Sequence, residues 1–393
     1  MKLFTRLSTN YFFYFAIMGL VVPYLAVYLD GKGFSSLHIG EIIAIVTASK
    51  IIGPSLWATL ADKSGKHVYF IKLGTALAVV SFIAVFWLDS YWGLTLALAL
   101  FSLFWTAILP QIEVLTLHSI RLKAHIYGRI RVWGSIGFIV FSIFAGYCID
   151  EFGSNAFPYL VLMALLGLLF SHTLIQQPRT SKQAELNQSE NESNEGKPTA
   201  IISKMLTPSF LVFFMAGLLL QISFGAYYNF FVLLLLDHNY SGIFIGILLG
   251  LAVLAEIFIF IFSGMLFKHF SLKLLLIVSL LFSALRWFLI AHFVGNLYIL
   301  IFSQLIHALS FGVYHSASVL FISQHFDSNQ QNRGQAIYVG GIYGLGAAIG
   351  AYIAGVMWQE GAGSVMAFEM SAVIAFIGAV LLLFLKEKQK EKG

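Results

Sequence analysis

Charge is scarce in this sequence. Asp, Glu, Lys and Arg make up 10% of the 393 residues, against 59% hydrophobic residues, whereas a soluble domain carries about 25% charged residues. Nothing would cover the surface of a soluble fold of this size, so the apolar majority must face lipid. Cysteine is limited to Cys148, which excludes an internal disulfide. There is no Walker-type phosphate loop, which argues against direct ATP drive, no His/Cys cluster with metal-ligand spacing and no TVGYG-like filter loop. No cofactor or metal is expected. The formal net charge of +5 is spread between apolar runs, which is not the pattern of a nucleic-acid-binding protein. The first apolar run, Tyr11 to Leu29, lacks a small-residue cleavage site and reads as a retained span. No lipidation motif stands out.

What is abundant is apolar length. A membrane helix needs about 20 apolar residues, and the sequence predicts twelve, near 10–29, 38–60, 68–88, 91–117, 127–149, 156–175, 208–236, 242–267, 272–293, 297–323, 334–358 and 364–385. The fourth and seventh are long enough to tilt or to extend beyond the bilayer. The fold class is thus all-α and integral to a membrane. The Lys and Arg bias places the N- and C-termini in the cytoplasm. Lys63, Lys66, Arg121, Lys123, Lys204, Lys268, Arg333 and a Lys-rich tail then lie inside, and the outer loops hold only Lys32.

The polar stretch after Gln176 has no aromatic residue and reads as a flexible cytoplasmic linker over 179–206. It divides the chain into six-span halves, 1–178 and 207–393. Such duplication is common in secondary transporters, whose sites lie near the midplane between repeats.

A charge at the centre of a membrane helix costs on the order of 3 kcal/mol or more, so each intramembrane charge needs a reason. Glu113 and Arg131 flank the hairpin between spans 4 and 5 at similar depth. They line a substrate site, or form an ion pair that only joins two helices. Glu256 lies mid-span 8 and Arg286 mid-span 9, out of snorkelling reach. They handle a proton, or form a permanent pair. His307 and His315 share a face of span 10; histidine as a residue type titrates near neutrality, which suits a proton relay, and ordinary interhelical hydrogen bonds are the alternative. Gln304 extends that face. Lys50, mid-span 2, lines the cavity or reaches toward a polar neighbour. Tyr227, Tyr228 and Asn229 interrupt span 7 and offer stacking and hydrogen bonds to a solute, or pack as any helix does. Glycines fill spans 5 and 11, as close helix packing in lipid requires. Glu369 reads as interfacial.

Asp62-Lys63-Ser64-Gly65-Lys66 resembles the loop motif G-x-x-x-D-R/K-x-G-R/K of the major facilitator superfamily, with Ala58 in place of its first Gly. The first span and YGRIRVWGSIGF (127–138) resemble the lactose permease branch. In that branch the residues matching Glu113, Arg131 and Glu256 contact sugar, and those matching Arg286 and His307 belong to the proton-coupling group. Ser310 stands where that branch has a carboxylate central to proton release, and its span 7 Asp and span 11 Lys residues are missing, so its proton route cannot be copied here. AEIFIF at Glu256, LRW at Arg286 and Gln304-x-x-His307 followed by His315 resemble the phenylpropionate permeases.

The resemblance implies two pseudo-symmetric six-helix bundles and a monomer in the cell inner membrane, working by alternating access. It implies proton-coupled import of a small organic solute, an aromatic carboxylate such as 3-phenylpropionate, with sugars and nucleosides as alternatives. Glu113, Arg131, Lys50, Tyr227, Tyr228 and Asn229 are then candidates for substrate binding, and Glu256, Arg286, His307 and His315 for proton coupling. Asp62, Lys63, Gly65 and Lys66 are candidates for the conformational motif. A membrane-embedded enzyme would need a nucleophile or metal constellation, and none is evident; nor does a pore-filter signature favour a channel.

Overall fold

The computed structural model describes residues 3–120, 123–175, 198–327 and 330–386, with the side chains of 62, 124, 125 and 198–200 excepted. Among the described residues twelve helices are long and apolar enough to cross a membrane: Leu3–Gly31, Ser36–Ala61, His67–Phe86, Tyr91–Ser119, Ile126–Phe152, Ala156–Thr173, Pro208–Asp237, Gly242–His269, Leu272–Phe293, Leu297–His325, Gln331–Gly361 and Ser364–Leu382. They are spans 1 to 12. No strand occurs among the described residues. Residues 179–197 of the expected linker lie outside the described residues, and a short helix, Pro198–Met205, fills most of its remainder.

Spans 4 and 7 are each interrupted within their length. Span 4 ends one helix at Thr106 and begins another at Ile108. Pro110 has no N–H to return to the carbonyl of Thr106, and its ring crowds that carbonyl. Span 7 breaks at Phe224, between Ser223 and Gly225. The Ser223 hydroxyl bonds back to the carbonyl of Leu220 at 2.6 Å, and a Ser/Gly pair is a recurrent kink site. Span 1 carries Pro23 without breaking. The carbonyl that this proline orphans, on Gly19, accepts instead from the Ser142 hydroxyl of span 5 at 3.0 Å.

Two compact units are present. One comprises Met1–Pro178, Gly225–Leu251 and Ala351–Ser364; the other comprises Arg179–Phe224, Ala252–Gly350 and Val365–Gly393. Their boundary cuts spans 7, 8 and 11 near mid-length.

In the first unit, glycines allow backbones to touch. A Cβ on Gly40 would lie 2.7 Å from the Cα of Gly355, and one on Gly146 would overlap the carbonyl of Gly242. The N-terminus of span 8 is met there by the Asp150 carboxylate, which accepts from the Gly242 N–H at 2.9 and 2.7 Å. A carboxylate suits the orphan N–H groups and positive dipole of a helix start. Ser36 and Glu360 bond reciprocally: the Ser36 N–H donates to Oε1 of Glu360 at 3.1 Å, and the Glu360 N–H donates to Oγ of Ser36 at 2.9 Å. Lys32 and Asp89 pair at 2.6 Å, and this partner holds the lysine above its ordinary pKa. Spans 2 and 11, and spans 5 and 8, are therefore clamped at the end opposite the linker. Gly355→Trp is expected to prise spans 2 and 11 apart. A cysteine placed at Ala351, which is buried in the parent, should then alkylate readily in a Cys148→Ser background. Unchanged alkylation would show the contact to be dispensable.

In the second unit the glycine-rich face of span 11 packs on span 7. A Cβ on Gly350 would meet the carbonyl of Ile222 at 2.6 Å, and one on Gly346 would meet Cβ of Gln221 at 2.8 Å. Two stretches depart from α winding into wider π turns, Ala308–Val313 in span 10 and Tyr338–Gly346 in span 11. Such turns recur at functional sites.

Candidate functional site

Four of the candidate residues fall in two groups, Glu113 with Arg131 in the first unit and Arg286 with His307 in the second. In the first unit Glu113 accepts from the hydroxyl of Tyr127 at 3.3 Å. Tyr127 and Arg131 are four apart on span 5, hence on one face. The Arg131 guanidinium lies 3.9 Å from the ring centroid of Phe15 and 5.9 Å from that of Tyr11, both on span 1. Glu113 and Arg131 are near enough for their charges to interact, yet no ion pair within 4 Å joins them, and no other carboxylate among the described residues lies that close to Arg131. The arginine is steered by aromatic faces instead. Tyr14, packed on Phe15, stacks on Trp105 with centroids 5.2 Å apart, and Trp105 stacks on Phe101.

Lys50 is half-buried in span 2, and among the described residues its ammonium has neither an ion-pair nor a hydrogen-bond partner. Pro54 lies four residues on, so the carbonyl of Lys50 also lacks its usual helical donor. In span 7 Asn229 donates to the carbonyl of Gly225 at 2.7 Å, satisfying backbone at the break. Tyr227 is buried and packs on Tyr228 and Phe231.

The second group is tighter. Arg286 is fully buried. It donates through Nε to the carbonyl of Ser303 at 2.8 Å, through Nη2 to Oε1 of Gln304 at 3.0 Å, and through Nη1 to Nδ1 of His307 at 2.8 Å. Arginine has no acceptor, so Nδ1 of His307 supplies the lone pair and the ring proton sits on Nε2. His307, Phe311 and His315 then stack along span 10 with ring planes 11° and 4° apart. At the far end Nδ1 of His315 lies 3.1 Å from the hydroxyl of Tyr343 and 3.4 Å from that of Tyr338, and the two hydroxyls are 3.2 Å apart. Glu256 is half-buried on span 8. Its Cγ is 3.4 Å from the point a Cβ on Gly312 would occupy, which places it against the π turn of span 10.

Of the conformational motif, Gly65 follows the helix Ser36–Ser64, which carries span 2 and continues past it, and has φ +65°, the left-handed conformation in which glycine ends a helix. Lys63 and Lys66 are exposed. The side chain of Asp62 lies outside the described residues. Glu369 pairs with His292 at 3.0 Å, both partly exposed.

Several contributors are missing from the sequence reading. Tyr127 lies within the quoted span 5 motif, one helical turn before Arg131, and spacing was sufficient to find it. Tyr338 and Tyr343 are five apart, a separation that puts two residues on different sides of an α-helix. Only the π turn brings both to His315.

A family model described as "MFS_1 like family" matches residues 4–370. The "Probable 3-phenylpropionic acid transporter" of Escherichia coli (strain K12) is 27% identical over 358 residues, covering 90% of each chain. The maltose permease of Geobacillus stearothermophilus is 26% identical, covering 98% of this chain and 94% of that one. Among solved structures, the nucleoside transporter NupG superposes with a TM-score of 0.81 at 16% identity, covering 99% of this chain and 100% of that one. At that identity the likeness speaks for the fold alone.

Proposed function

We propose that this chain, which belongs to the MFS_1 like family of the major facilitator superfamily, is a proton-coupled importer of an aromatic carboxylate such as 3-phenylpropionate. That it is a multi-pass membrane transporter and not an enzyme follows from the family and its transporter relatives. The substrate reading is carried by Arg131, a guanidinium laid on Phe15 with, among the described residues, no carboxylate in ion-pair reach. A bound carboxylate would complete it as a charge-assisted fork, with Lys50 as a second cation and Phe15 beside the guanidinium supplying an aromatic ring. Tyr227, Tyr228 and Asn229 are proposed to contact the solute from span 7. The relative described as a 3-phenylpropionic acid transporter supports the same class. The alternative is a sugar or a nucleoside, for which Glu113 offers an acceptor; it is supported by the maltose permease likeness.

The proton is assigned to Glu256. While Arg286 donates to Nδ1 of His307, a second proton cannot sit on that nitrogen, so His307 takes up charge only by releasing Arg286. His315 is proposed to follow the same movement through Tyr343. The Lys and Arg distribution supports cytoplasmic termini and an inner-membrane location. Two six-span halves joined by the 179–206 stretch, in a single-chain transporter, complete the proposal.

The test is uptake into proteoliposomes under an imposed pH gradient, with aromatic acids, sugars and nucleosides first screened for thermal stabilisation of the purified protein. Stabilisation by sugars or nucleosides but not by aromatic acids would select the alternative. Tyr127→Phe removes a hydrogen bond to Glu113 worth about 1.5 kcal/mol. Apparent affinity should fall roughly tenfold with the maximal rate nearly unchanged; an unchanged affinity would place Glu113 outside the site.

A further inference from the structure

We propose that the short helix Pro198–Met205 is an interfacial anchor, laying Ile202 and Leu206 into the lipid leaflet on the linker side of the membrane. The helix has eight residues, too few to hold together alone in water, where fewer than about 12 are marginal. Its polar contacts account for one side. Lys204 pairs with Asp327 at 2.7 Å and reaches the carbonyl of His325 at 3.4 Å. The carbonyl of Lys204 accepts from Nε2 of His325 at 2.9 Å, and His325 stacks on Phe210 and Phe321. These bonds fix the helix to the end of span 10, and Ile201 is buried.

The other side carries Ile202, 55% exposed, and Leu206, 64% exposed, one helical turn apart. Two features name the occupant of that side as lipid. First, span 7 begins at Pro208, two residues beyond Leu206, so chain connectivity holds the helix at the bilayer boundary. Second, the next exposed apolar residues along the chain, Leu211 and Met215, lie in the first turns of span 7, a surface that a membrane span presents to acyl chains. A polar face turned to protein and an apolar face at headgroup depth is the pattern of a helix lying in the interface. The inference rests on the chain spanning a membrane and is independent of the substrate.

The experiment uses full-length protein with Cys148→Ser, carrying a nitroxide on Ile202→Cys or, separately, on Leu206→Cys. It is reconstituted in phosphatidylethanolamine/phosphatidylglycerol vesicles. Collision rates with oxygen, which concentrates in lipid, are compared with those of a water-soluble nickel chelate. The expected result at both sites is high oxygen and low nickel accessibility, at a depth of about 5–10 Å, with Ser203→Cys more accessible to nickel. High nickel accessibility at both sites would put the face in water and overturn the proposal. Low accessibility to both reagents would mean that another protein surface covers it, and would overturn it equally. Two labelled positions keep the test decisive if one variant fails to fold.

Discussion

Arg286→Met is expected to abolish transport and to lower stability by about 3 kcal/mol, since each buried acceptor left unpaired costs about 1–3 kcal/mol and neighbours do not add fully. The arginine satisfies the Ser303 carbonyl, Gln304 and His307 together, with no exposed surface. Methionine fills much of its volume but donates nothing. A purely structural role and a role in coupling separate in a second variant. Arg286→Met with Gln304→Leu and His307→Leu removes the side-chain acceptors along with the donor, and well-packed apolar replacement of a buried polar group is often neutral or stabilising. The triple variant should regain most of the thermal stability while remaining inactive in proton-driven uptake. If it regains uptake as well, the Arg286 centre only holds spans 9 and 10 together.

Most of the fold was legible because bilayer thickness imposes a minimum apolar length on every span. Runs near 38–60, 272–293 and 297–323 became Ser36–Ala61, Leu272–Phe293 and Leu297–His325. The broken interiors of spans 4 and 7 were not read, although Pro110 and the Ser223/Gly225 pair carry the signal, because hydropathy averages over backbone geometry. The intramembrane charges were found for the opposite reason: a single costly residue stands out in an apolar run. How those charges are partnered was not legible. Arg131 rests on aromatic rings rather than in an ion pair with Glu113, and the contacts of Arg286 include a carbonyl, an amide and an imidazole. Such partners are too common in sequence to be singled out. The Tyr338–Tyr343–His315 group depends on π winding, which contradicts the period by which a helix face is recognised.

Glu256→Gln is expected to uncouple the transporter. Glutamine keeps the length and hydrogen-bonding capacity of the side chain, so packing against the Gly312 turn should persist, but it cannot take up and release a proton. A proton shifts the balance between two conformations only through different affinity for them. A coupling of about 1–3 kcal/mol corresponds to roughly 5–150-fold, and accumulation against a gradient should fall within that range. Exchange of labelled for unlabelled solute needs no net proton movement and should stay within a few-fold of the parent. Wild-type accumulation would remove Glu256 as the carrier. The proton would then have to reside on His307, which requires the Arg286–His307 bond to break during each cycle. Loss of exchange together with accumulation would instead place Glu256 in solute binding. Accumulation lost with exchange kept would instead support Glu256 as the proton carrier, in keeping with an Arg286–His307 bond that has to break before Nδ1 of His307 can take up a proton.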